Sequence, residues 1–276
     1  MKKERLKKTA IYLLLVTGGF ITVFPFFWMI STSLKTINEV HQMPPILFPV
    51  SLVWENYPRV MEIIPFTRYF INSVFVMVIT TVSTVLTSIL SAFAFSRLKF
   101  WGRDLIFSVF LATLMVPGEV LLIPNFVTIS QLGWVNTYQG LIVPWLIGVF
   151  AVFLMRQFFL GIPEELYYAA KIDGCKDFKY LWYIMVPLAK PAIVSIALIK
   201  AIFNWNGFLW PLVVTNSPDM RTIPVGLAVF TSEAGTQYHL LMAATTMAIV
   251  PMIALYIILQ KHIIEGISRT GTGIKG

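Results

Sequence analysis

Six stretches of this 276-residue chain run for about 20 residues each with almost no charged side chain: 10–30, 70–94, 105–123, 141–159, 191–214 and 240–261. Twenty helical residues reach about 30 Å, the thickness of bilayer hydrocarbon. Composition agrees, because 57% of the chain is hydrophobic and 12% charged, against about 45–50% and 25% in soluble domains. That much apolar surface has no place in a water-facing domain, so lipid is the expected solvent. Backbone in lipid must satisfy its own hydrogen bonds, and barrel strands would alternate polar and apolar at about ten residues each. The expectation is an all-α, polytopic fold of six transmembrane helices in one domain spanning 1–276. A single cysteine excludes a disulfide-built secreted domain.

Lysine and arginine set the orientation. One side collects Lys2, Lys3, Arg5, Lys7, Lys8, Arg97, Lys99, Arg103, Arg156, Lys171, Lys176, Lys179, Lys190, Lys261, Arg269 and Lys275; the other has Lys35, Arg59, Arg68 and Arg221. A split of 16 to 4 puts both termini in the cytoplasm and requires an even number of spans, which six satisfies. The net charge of +8 is therefore topological, and no basic stripe suggests nucleic acid. The first apolar stretch is too long for a signal peptide and lacks a small-residue cleavage site, so it is expected to remain as a span.

Two connections are long. The outer one, about 35–69, is rich in proline and is expected to be an ordered cap without its own core. The inner one, 161–190, predicts a short helix over 163–171: proline suits a first turn, Glu164 and Glu165 complement the positive helix end, and Ala169 and Ala170 propagate it. Asp173–Gly174 should end that helix. Phe178, Leu181, Trp182 and Met185 then recur at helical spacing before Pro187 and Pro191 turn the chain into the membrane. A helix–turn–helix carrying apolar residues into the cytoplasm suits docking on another protein.

The loop IPEELYYAAKIDGCKDFKYLWYIMVPLAKP resembles the EAA loop of inner-membrane permease subunits of ABC importers, through Pro163, Glu165, Leu166, Ala169, Ala170, Asp173, Gly174, Phe178, Pro187 and Pro191. FNWNGFLWPLVV at 203–214, the tail KHIIEGISRTGTGIKG, FSRLKFWGRD at 95–104 and MVPGEVLLIPNF at 115–126 are similar to its carbohydrate-uptake branch. Tyr168 stands where the pattern has its naming glutamate, and Cys175 where it has alanine. The family's ion pair from that glutamate to the ATPase therefore does not carry over.

The resemblance implies a type I importer permease fold in the cell membrane. This chain would form half of a pore with a second permease subunit, moved by two ATPase subunits that bind ATP and Mg, and supplied by an extracellular sugar-binding protein. No cofactor is expected in this chain, which has no G-x-x-x-x-G-K-[ST] loop. The docking set is Glu164, Glu165, Tyr168, Ala169, Ala170, Asp173, Gly174, Phe178 and Pro187. A candidate substrate path comprises Glu119, Phe203, Asn204, Asn206 and Trp210; on one continuous helix Phe203, Asn206 and Trp210 would share a face, and packing against the second subunit is an equal reading. Lys200 is expected to snorkel or pair with another helix. His41, His239 and His262 are too scattered for a metal. The alternative is a secondary transporter, which lacks support from any inverted repeat and leaves the loop unexplained.

Overall fold

A computed structural model describes the backbone of residues 2–232 and 235–271, with side chains from 7 onward except 232, 259 and 261–271. The tail motif beyond 271 lies outside the described residues. Four helices, Lys7–Ser33, Phe66–Arg97, Tyr138–Leu160 and Tyr238–Ile258, are long and apolar enough to cross a bilayer. Two bent pairs, Arg103–Met115 with Gly118–Gln131 and Asp177–Leu188 with Lys190–Trp205, bring the count to six.

The chain divides into two compact units, Met1–Thr67 with Gly226–Val250, and Arg68–Val225 with Pro251–Gly276. In the first, residues 7–26 are exposed along their whole length, as a lipid-facing helix should be. The cap that follows is tied by side-chain hydrogen bonds as well as by its own short helices. Asn56 Nδ2 donates to the carbonyls of Ser33 and Lys35, closing the end of the first helix. Lys35 Nζ donates to Ile46 O at 2.6 Å and lies 4.3 Å from the Trp28 ring centroid. Its burial lowers its pKa against the opposing pull of Glu39. Glu39 closes a capping box with Thr36 and accepts from Val50 N.

In the second unit the helix Phe66–Arg97 is central. Its buried face repeats every four residues, mostly with small or polar groups: Asn72, Val76, Thr80, Thr84, Ser88 and Ala92. Without a hydrophobic force between helices in lipid, close approach and hydrogen bonding replace it. A Cβ built on Gly148 would lie 3.0 Å from Thr84 Cγ2. Thr84 Oγ1 donates to the carbonyls of Trp145 and Leu146, and Thr87 Oγ1 also reaches Leu146 O. Those carbonyls are freed where the fourth span changes from the 3-10 turn Val143–Trp145 to the helix Val149–Leu160. Internal donors are the condition for such a break at membrane depth.

Three of the six windows are thus interrupted. The third bends by 91°, with Pro117 and the preceding Val116 both extended, as a proline demands of its neighbour. The fifth, read as continuous over 191–214, is a correction: its helix ends at Trp205, Asn206 to Phe208 break it, and a short helix Leu209–Val214 follows. Gly207 N turns back to Asn204 O at 3.2 Å in place of continuing the helix.

Candidate functional site

The loop between the fourth and fifth spans begins with the helix Glu164–Ile172, entered from extended Pro163. Glu164 and Glu165 occupy the first turn and Lys171 the last, each matched in sign to its end of the helix dipole. Gly174 has φ +73, the left-handed conformation that glycine adopts without penalty, and Cys175 N returns to Ala170 O at 2.8 Å. The chain then runs through Asp177–Tyr180 and a π-helical turn, Leu181–Met185.

Core packing fixes this loop. Ala170, Tyr180, Leu181 and Met185 are buried in one cluster with Ile89, Ala92 and Phe93 of the second span and Met155 and Phe159 of the fourth. At its base Arg97 is buried, and its Nη2 donates to Phe159 O at 2.8 Å and Ile162 O at 2.5 Å, the carbonyls that end the fourth span. Arg156 answers in the other direction, with Nε on Phe95 O and its guanidinium 4.1 Å from the Phe107 ring centroid. The two arms of the loop are joined by Asp177, whose Oδ1 accepts from Tyr167 OH and pairs with Lys171 Nζ, both at 2.7 Å. Lys171 and then Tyr167 hold the Asp177 carboxyl below its usual range, so this tie is complete at neutral pH and is lost as acid protonates it.

The opposite face is left open. Ile172 is 87% exposed, Phe178 66% and Tyr168 51%, with Leu166 and Tyr183 also exposed. Tyr168 OH reaches only Glu164 Oε2, at 3.5 Å. Of the docking set, Glu164, Glu165, Tyr168, Ala169, Asp173, Gly174, Phe178 and Pro187 are exposed, while Ala170 points into the core. Sequence reasoning overlooked Ile172, although an isoleucine at the end of a short polar-flanked helix was a signal, and it overlooked Arg97, whose partners are distant in sequence.

The substrate-path residues are not brought together as expected. Glu119 is exposed on the 3-10 turn Gly118–Leu121 of the broken third span. Phe203 is exposed, and Asn204 Nδ2 donates to Thr80 Oγ1 at 2.6 Å. Asn206 lies at the helix end and bonds back to Ile202 O. Trp210 is buried, donating Nε1 to Gly140 O at 3.0 Å and meeting Trp145 edge-on. The common face of Phe203, Asn206 and Trp210 does not exist, because the helix stops between them; Trp210 is a packing group.

A profile of the family described as "Binding-protein-dependent transport system inner membrane component" matches residues 84–269. The chain is 37% identical to the arabinooligosaccharides transport system permease protein AraQ of Halalkalibacterium halodurans, over 94% of this chain and 93% of that protein. It is 35% identical to the sn-glycerol-3-phosphate transport system permease protein UgpE of Brucella suis, over 94% and 95%. A crystal structure of a bacterial ABC transporter that imports the acidic polysaccharide alginate contains a chain similar to this one, with a TM-score of 0.83 at 25% identity, covering 95% of this chain and 98% of that one.

Proposed function

The chain belongs to the family of binding-protein-dependent transport system inner membrane components, and from that membership we propose how this permease subunit assembles and what it carries. It forms half of a translocation pore with a second permease subunit. Its cargo is a sugar or oligosaccharide, in keeping with the saccharide and polyol-phosphate names of its relatives. An extracellular binding protein delivers the cargo, and two ATPase subunits, which hold the ATP and Mg, close on the cytoplasmic side. As a transport subunit, this chain has no ATPase site of its own.

The observation that carries this reading is the loop, which is rigid where it meets the membrane helices and apolar where it faces away. Tyr180, Leu181 and Met185 tie it to the second and fourth spans, so a push on Ile172, Tyr168 and Phe178 is passed to the helices instead of being absorbed by bending. Closure of the ATPase pair therefore tilts the spans and opens the pore outward; release on hydrolysis returns it. Both termini and the loop lie in the cytoplasm on the 16-to-4 basic asymmetry. Cys175, the only thiol and half-buried at the turn, is then expected to react with an impermeant maleimide in inverted vesicles and not in intact cells. Labelling in intact cells overturns the orientation.

Tyr168 tests the docking surface. Its ring would be buried against the ATPase subunit, and a glutamate there would place a second carboxylate one turn from Glu164 and carry a charge into an apolar contact. With tagged permease in mild detergent, Tyr168→Phe should retain the ATPase subunit as the parent does, and Tyr168→Glu should retain several-fold less. Equal retention by all three removes this position from the interface.

A further inference from the structure

Lys200 stands ten residues into the helix Lys190–Trp205, about 15 Å along its axis, in a hydrocarbon layer about 30 Å thick. A charge at that depth is costly and is found facing a cavity, a counter-charge or a functional path. Lys200 is partly exposed. Among the described residues the ion pairs are Arg103–Asp104, Arg156–Asp104 and Lys171–Asp177, so its ammonium has no carboxylate partner among them. Of the two expectations, snorkelling or pairing with another helix, the second finds no partner among these residues.

One turn further on the same side is Asn204, also partly exposed; positions four apart bring their Cβ atoms within about 6 Å. Asn204 Nδ2 donates to Thr80 Oγ1, which is itself committed to Val76 O at 2.6 Å. This bond fixes the amide and leaves its carbonyl oxygen free to accept. A cation and an oriented amide carbonyl, adjacent on one flank of a span, match a ligand that offers an anion beside a hydroxyl: the ammonium pairs with carboxylate or phosphate, and the amide accepts the hydroxyl proton.

We infer that Lys200 and Asn204 form a recognition site on the translocation path for the anionic group of an acidic saccharide or sugar phosphate. The inference rests on the saccharide-importer reading and narrows its substrate class. It is tested with the complete complex and its binding protein in proteoliposomes, measuring ATP-driven uptake of trigalacturonate, neutral galactotriose and glucose 6-phosphate, together with retention of the other subunits. The parent complex should take up at least one of the two anionic probes in preference to galactotriose. Lys200→Gln should cut that uptake by about tenfold or more with subunit retention unchanged, and Lys200→Arg should restore much of it. Unchanged uptake by Lys200→Gln shows a snorkelling lysine and overturns the inference; loss of a subunit with Lys200→Gln shows a partner-chain ion pair and overturns it as well. Preference for galactotriose, or uptake of neither anionic probe, overturns it while sparing the importer reading, whereas uptake that needs no ATP overturns both.

Discussion

Gly174→Asp is expected to abolish transport while the protein still inserts in the membrane at parental levels. The backbone at Gly174 has φ +73, where an L side chain costs about 1–2 kcal/mol. No atom lies within 4 Å of a Cβ built there, so the turn has room for a side chain and insertion of the membrane helices is expected to continue. The carboxylate would stand on the exposed turn that separates Ile172 from Phe178, where the ATPase subunit would bury it without a partner. A buried unpaired charge costs about 3 kcal/mol or more, which is roughly a hundredfold in docking. Gly174→Ala carries the backbone strain without the charge and should keep partial uptake. The measurement is cargo uptake alongside the amount of protein in the membrane fraction. Parental uptake by Gly174→Asp would mean that the turn does not face the ATPase.

Arg97→Ala should have the largest effect on stability. The guanidinium holds the carbonyls of Phe159 and Ile162, and hydrogen bonds from charged groups contribute about 1.5–3 kcal/mol each. Its loss leaves two buried carbonyls without this donor and frees the point from which the loop departs. Arg97→Ala is expected to lower the thermal midpoint of the detergent-purified complex and to shed the ATPase subunit together with it; Arg97→Lys, which supplies a donor without the planar fork, should fall between. A midpoint unchanged by Arg97→Ala would contradict the bracing role.

The number of spans was legible because hydropathy over about 20 residues is insensitive to detail. For the same reason it could not show where those spans break. Pro117 announced one interruption through its missing N–H. The break at Gly148 is tolerated because Thr84 and Thr87, some 60 residues earlier, supply donors to the freed carbonyls, and such long-range satisfaction leaves no local trace. Asn206–Gly207 was a turn signal in plain view, yet the apolar residues on either side outweighed it. That error carried Trp210 onto a face it does not share.

The loop fared differently. Its proline, acidic first turn and glycine stop are local instructions, and the helix Glu164–Ile172 with left-handed Gly174 follows them. Which residues turn inward depends on the second and fourth spans, so nothing local in the sequence separates buried Ala170 from exposed Ile172. Tyr167, Lys171 and Asp177 are each unremarkable in sequence. Only the return of the chain at Gly174 brings them together.

This permease is expected to move its cargo only when ATPase partners act through the loop. The most direct test reconstitutes the tagged complex, with its co-purifying membrane and ATPase subunits, in proteoliposomes holding ATP and Mg on the loop side, and follows labelled saccharide supplied with the binding protein on the other. Uptake is expected to require ATP and to collapse with Gly174→Asp. Uptake that persists without ATP, driven by an ion gradient alone, would contradict it.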